Sequence, residues 1–380
     1  MGNSVQSWRT GGLRRLGAFL LALYVFLAGI ELFGSSFKIL GKDTADSLFC
    51  GLGNPFAGLA VGIIATAILQ SSSATTSTVV AMVGANGLSL ACAIPIVMGA
   101  NIGTAITCAL VSLGHITQSA QFQRAFAGAA MHGFINLLTV VVLLPLELAT
   151  HFMERGAEWM LRVLPVQQTG GSFHSPVKTV VGWLAGTIEW IFRKMLGLGG
   201  EENTIALAVI LAVVALGMVL AALIVITKNM KKLMADRIEE WLNRVLSRSG
   251  LLGLVIGAFV TMIVQSSSIT TSLLIPMFGA GILALEAGFP IMLGANIGTT
   301  ITALLAASVV GPLGLTIALV HVQFNVLGAM LFFPVKRMRR VPIFFAERLA
   351  ALAVRNRLWV VLYMLGTFIV LPLLGILIWK

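Results

Sequence analysis

Charge is scarce in this chain. Of its 380 residues only 10% are Asp, Glu, Lys or Arg, while 58% are hydrophobic and the mean hydropathy is +0.99. Soluble domains carry about a quarter charged residues, so a string of them is excluded. Cysteine is nearly absent too: there are three, Cys92 and Cys108 lie inside apolar segments, and no CxxC metal signature or disulfide framework forms. Both read as small buried hydrophobes. The 14 acids and 25 bases fall almost entirely between apolar stretches, so the net charge of +11 reports loop asymmetry. DNA and RNA are thereby excluded as partners. The composition is that of an integral membrane protein, with the lipid bilayer as its first partner.

A spanning helix needs about 20 apolar residues to cross about 30 Å of hydrocarbon. Five segments meet this plainly: about 16–37, 123–148, 203–227, 312–334 and 358–379. The first follows Arg14 and Arg15 without a small-residue cleavage pattern and reads as a retained span, not a secretory signal. Residues 52–113 and 250–310 are apolar but cut repeatedly by Gly, Ser, Thr, Asn and Pro. Such breaks survive at membrane depth only where the backbone faces protein or a watery cavity, a transport-like pattern. The expected fold class is an all-α membrane protein with re-entrant or discontinuous helices.

An internal repeat sets the organisation. An offset of 195 residues aligns 58–110 with 253–305 without a gap, and 28 of the 53 positions are identical. Gln70-Ser71-Ser72-Ser73 meets Gln265-Ser266-Ser267-Ser268, and the GANIGT runs starting at Gly99 and Gly294 meet each other. After a six-residue difference, His132 pairs with His321, Asn136 with Asn325 and Pro145 with Pro334. The expected division is 1–50 (first span and outer loop), 51–148 (transport repeat 1), 149–202 (outer amphipathic linker), 203–249 (a span and a cytoplasmic amphipathic helix), 250–335 (transport repeat 2) and 336–380 (a basic cytoplasmic segment and the last span).

Charge orients the copies. Segment 228–249 holds six bases against three acids, 336–357 holds seven against Glu347 alone, and 149–202 is balanced at five each. The first two are cytoplasmic by the positive-inside bias, as are Arg9, Arg14 and Arg15 with the amino terminus. The first repeat then begins and ends outside and the second inside: an inverted-topology repeat, which places a site at the midplane.

Within 58–145 and 253–334 there is one acid, Glu286, and one base, Arg124. A relay through buried carboxylates is poorly supported. What remains is a neutral site rich in hydroxyls and amides, with backbone N–H groups freed where a helix breaks at QSSS. Those groups favour an anion, and carbonyls across the break suit Na⁺. A divalent oxyanion beside no Lys or Arg is costly, and bound cations would supply the missing charge. The residues thus point to a cation-coupled anion carrier and leave the anion, and its direction of travel, open. A channel and an intramembrane hydrolase are the distant alternatives; the latter lacks an acid to orient either His and has no GxSxG elbow. His132 and His321 read as structural hydrogen-bonding residues, and Trp159, Trp183, Trp190 and Trp241 as interface anchors on amphipathic helices.

The doubled QSSS and doubled GANIGT, with the Glu31-Leu32-Phe33-Gly34-Ser35-Ser36-Phe37 stretch, Arg124-Ala125-Phe126-Ala127-Gly128-Ala129 before His132, and Leu143-Leu144-Pro145-Leu146-Glu147, resemble the type II sodium/phosphate cotransporter family over most of the chain. The resemblance implies a non-enzymatic plasma-membrane symporter, in the inner membrane if bacterial, that imports inorganic phosphate by alternating access with Na⁺ as coupling ion and no other cofactor. It implies phosphate held between the breaks, on Gln70, Ser71, Ser72, Ser73, Ser266, Ser267 and Ser268 with Asn101 and Asn296. It implies sodium at the second repeat on Gln265, Ser266, Thr299 and Thr302, with Asn136 a further ligand. Electrogenic vertebrate members have Asp immediately after the first-repeat His, where this chain has Gly133. The outer loop is short and lacks the paired cysteines of the vertebrate loop.

Overall fold

A computed structural model describes residues 2–40, 54–163, 176–195, 197, 203–245 and 250–378, and among these there is no strand. The helices are α1 (Gly2–Leu40), α2 (Pro55–Leu69), α3 (Ser72–Gly84), α4 (Leu90–Gly103), α5 (Ala105–Ser112), α6 (Ser119–Thr150), α7 (Phe152–Val163), α8 (Pro176–Trp190), α9 (Thr204–Val245), α10 (Gly250–Val264), α11 (Ser267–Ala280), α12 (Leu285–Val310), α13 (Pro312–Phe332), α14 (Lys336–Arg355), α15 (Leu358–Leu365) and α16 (Leu371–Ile378). Six stretches are long and apolar enough to cross a bilayer: Arg14–Leu40, Leu90–His115, Ser119–Thr150, Thr204–Met230, Leu285–Val310 and Pro312–Phe332. The molecule is an all-α, multi-pass membrane protein.

Two of these crossings, Leu90–His115 and Leu285–Val310, lie where the sequence suggests only interrupted helix. In Leu90–His115 the polar side chains bond back along their own helix: Asn101 Nδ2 donates to the Val97 carbonyl at 2.9 Å and Thr104 Oγ1 to that of Ala100 at 3.0 Å. The polar groups are thus satisfied without ending the span. Conversely, the expected span 358–379 is divided by a π-helical turn at Gly366–Val370. Lys228 and the basic residues after it continue α9 to Val245 and do not start a separate amphipathic helix. Trp159, Trp183 and Trp190 are exposed, as interface anchors should be. The outer loop around residue 45 and the side chains of Arg9 and Trp241 lie outside the described residues. The cysteines need a correction: Cys108 is a free buried thiol, but Cys92 is disulfide-bonded. Spacing along a chain does not reveal which sulfurs meet in space.

Small residues determine how each repeat folds. Gly58 lies against Cys92, Pro95 and Ile96, Gly62 against Ile96 and Ala100, and Gly103 against Ile63 and Thr66, so residue numbers rise together along α2 and α4. A Cβ at Gly62 or Gly99 would run into the facing backbone, the close helix approach that small residues permit in lipid. The two helices are therefore parallel and start at the same level, and α3 between them has to run back. α2 and α3 form a re-entrant hairpin with QSSS at its tip. Gly257, Gly294 and Gly298 make the equivalent contacts with Ile291, Leu254, Ala258 and Thr261, giving a second hairpin from α10 and α11. Each hairpin carries the same internal bond, Thr66 Oγ1 to Thr75 Oγ1 at 3.0 Å and Thr261 Oγ1 to Thr270 Oγ1 at 2.8 Å.

The returning arms pack on the opposite repeat. Thr271 and Gly279 of α11 meet Cys108 and His115, so α11 runs parallel to α5. Gly84 at the end of α3 meets Val310 at the end of α12. Because α11 runs against α12, while α5 continues α4, the spans α4 and α12 are antiparallel. The two repeats are thus threaded in opposite senses within one interlocked core.

Candidate functional site

The hairpin tips are built alike. Gln70 and Gln265, at the ends of α2 and α10, have φ of 52° and 55°. This left-handed backbone is strained for a residue with a Cβ and is held only where the surroundings dictate it. The next residue, Ser71 or Ser266, is extended (φ −150°, ψ 102° and φ −151°, ψ 105°) and caps the returning helix. Ser71 Oγ accepts from the Ala74 N–H at 3.1 Å, and Ser266 Oγ from the Ile269 N–H at 3.4 Å. One N–H at each new helix start is thus occupied, a refinement of the expectation that the break frees them all. Each capping hydroxyl keeps its proton for an external acceptor.

The tips meet. Ser73 Oγ donates to the Gln265 carbonyl at 3.3 Å, joining positions 192 residues apart. Between them opens a cavity of about 630 Å³ lined by Gln70, Ser71, Thr107, Gln265, Ser266, Ser268 and Ser272, with one face of α9 closing the other side. Ser72, Ser73 and Ser267 are buried directly behind this wall. The α9 residues Leu220, Leu223, Ile224, Thr227 and Lys228 fall on a single helical stripe. Sequence reading missed Thr107, Ser272, Thr227 and Lys228. The 195-residue offset could have supplied one of them, since Thr107 matches Thr302. Nothing in the local sequence places Lys228 at a site in the repeats.

Asn101, Asn296 and Asn136 do not line the cavity and belong to a buried network that crosses between repeats. His132 Nε2 lies 3.0 Å from Asn296 Oδ1, Asn296 Nδ2 donates to Asn136 Oδ1 at 2.6 Å, and Asn136 Nδ2 donates to the Asn101 carbonyl at 2.9 Å. His132 is therefore the structural hydrogen-bonding residue expected. Its counterpart His321 departs from the same expectation: it is buried with neither ring nitrogen partnered.

The two repeats differ where cations would matter. In the first, Thr107 Oγ1 donates to Gln70 Oε1 at 3.1 Å, and Thr104 Oγ1 bonds the Ala100 carbonyl. In the second, the equivalent atoms, Thr302 Oγ1, Gln265 Oε1 and Thr299 Oγ1, are all buried without a partner. Buried oxygens are rarely left so, and hydroxyl and amide oxygens are the kind of ligand a hard cation takes. Gly133 lies one residue from His132 with the Tyr363 hydroxyl filling the place of a side chain there.

The model of a family described as Na⁺/Pi-cotransporter matches residues 25–147 and 218–354, covering both repeats. The chain is similar to sodium-dependent phosphate transport protein 2B of Homo sapiens, at 30% identity over 451 residues and 95% of this chain. It is also similar to sodium-dependent phosphate transport protein 2A of Ovis aries, at 33% identity over 436 residues, covering 95% of this chain and 68% of the relative. The chain spans 65% of the length of the human protein. No solved structure matches it.

Proposed function

The chain belongs to the Na⁺/Pi-cotransporter family, and on that premise we propose that it is a sodium-coupled symporter importing inorganic phosphate by alternating access. The observation that carries this reading is the convergence of both QSSS tips on one cavity, joined by the Ser73–Gln265 bond. A tetrahedral oxyanion needs several donors from different directions. Gln70, Ser71, Ser266 and Ser268 supply them from the wall, with Ser72, Ser73 and Ser267 beside them in the chain and Asn101 and Asn296 in the network that joins the repeats.

The sodium site is assigned to Gln265, Thr299 and Thr302, whose oxygens stand open where their first-repeat counterparts have closed their bonds, together with Ser266, the chain neighbour of Gln265. Asn136 then acts through its bonds to Asn101 and Asn296. Anion and cation share Ser266, so each ligand strengthens the other, and linkage makes that coupling reciprocal. Residues 51–148 and 250–335 are the transport repeats in this reading, and the amino terminus is cytoplasmic. With Gly133 in place of an aspartate, two Na⁺ accompany one divalent phosphate and the cycle is electroneutral.

Uptake of radiolabelled phosphate into proteoliposomes, with and without a Na⁺ gradient, tests the reading. Saturable uptake that requires inward-directed Na⁺ is expected. Non-saturating flux would indicate a channel, and uptake of sulfate in preference to phosphate a carrier of another oxyanion.

A further inference from the structure

Among the described residues, Lys228 is the only charged one that lines the central cavity. It projects from the stripe of α9 that faces the hairpin tips, two turns beyond Leu220 and one beyond Ile224, which close the same space with hydrocarbon. Its side chain is exposed and has no ion-pair partner among the described residues. The rest of the lining is hydroxyl, amide or apolar, so this ammonium is not neutralised within the cavity. The two hairpins provide donors but no charge, and a divalent oxyanion held by neutral donors alone remains costly.

We propose that Lys228 is the charge partner of phosphate at the mouth of this cavity, a positioning residue that sets phosphate affinity on the face toward which the cavity opens. This rests on the transport reading above. Since α9 leads from Lys228 directly into the basic segment, that face is the cytoplasmic one. The lysine lies on α9, outside the interlocked repeats, so a movement of the hairpins relative to α9 changes its distance from the bound anion. It therefore acts in the inward-facing state and not in the outward-facing one.

The test uses the full chain with Lys228→Gln and Lys228→Arg. Equilibrium binding of radiolabelled phosphate in saturating Na⁺ is measured in phosphatidylcholine nanodiscs, and transport in right-side-out and inverted membrane vesicles. Lys228→Gln should weaken binding by about threefold to tenfold, the effect of removing one charge near a divalent anion in a wet cavity. It should raise the phosphate concentration for half-maximal transport from the cytoplasmic face by a similar factor and leave the outer face unchanged. Lys228→Arg should restore both. Equal binding by wild type and Lys228→Gln, equal effects on the two faces, or no rescue by Arg would each overturn the proposal. A loss that occurs only when phosphatidylglycerol is added would assign the lysine to a lipid headgroup and overturn it too. A wild-type protein that binds and moves no phosphate overturns the transport reading and this inference together; an active wild type with an unaffected variant overturns this inference alone.

Discussion

Replacing Gly133 by Ala and Tyr363 by Phe tests how the last helix meets the core. A Cβ on Gly133 would collide with the Tyr363 hydroxyl, while the next nearest heavy atoms, Ala105 Cβ and Tyr363 Cζ, would lie at 3.4 Å. The hydroxyl alone thus forbids a side chain. Forcing a methyl group into packed surroundings costs about 1–3 kcal/mol. The same hydroxyl is buried and bonds nothing, so Tyr363→Phe forfeits no hydrogen bond and removes a desolvated polar group; it should be neutral or stabilising by up to about 1 kcal/mol. In the double variant the collision is gone, and most of the Gly133→Ala penalty should vanish, an interaction of about 1–3 kcal/mol between the sites. Thermal melting of the purified protein in detergent at a fixed scan rate reads this out: the alanine variant melts a few degrees low, the phenylalanine variant at or above wild type, the pair near wild type. Additive shifts, or a Tyr363→Phe loss as large as that of Gly133→Ala, would refute the reasoning.

The same contact bears on the electroneutral cycle proposed above. Uptake under a K⁺/valinomycin potential should not accelerate in wild type. Gly133→Asp should add voltage dependence only together with Tyr363→Phe, where each net charge would contribute about 2.3 kcal/mol per 100 mV; strong acceleration of wild type would sink the electroneutral cycle. Thr299→Val and Thr302→Val remove orphaned hydroxyls, so melting without Na⁺ should hold or rise while the stabilisation that Na⁺ confers on wild type is lost; intact stabilisation would clear both residues from the sodium site. Gln265→Ala and Ser266→Ala should weaken Na⁺ activation and phosphate affinity together, by roughly tenfold or more given about 1.5–3 kcal/mol per charged hydrogen bond, and unchanged values for both ions would remove them from the site. Gly294→Ala should impair folding because its Cβ meets the Leu254 and Ala258 backbone, whereas Gly182→Ala enters open space and should melt as wild type does.

The membrane class, the duplication and the inverted threading were legible in the sequence by itself, because each rests on a property that survives without coordinates. Hydrophobicity is summed over a span, identity is counted over an offset, and loop charge responds to the membrane and not to packing. The QSSS serines were legible for the same reason, since a polar run at equivalent positions of two apolar repeats has few structural uses. Tertiary structure alone decided three things. Whether Leu90–His115 crosses or breaks depended on Asn101 and Thr104 finding acceptors on their own helix. Which repeat keeps open oxygens is invisible in 28 matched identities, because identical residues close their bonds in one copy and leave them open in the other. Lys228 reaches the cavity and Tyr363 the core from helices outside the repeats, and a hydroxyl 230 positions from Gly133 stands where its side chain would be. Contacts of that range arise only when the helices pack, so no local pattern of residues encodes them.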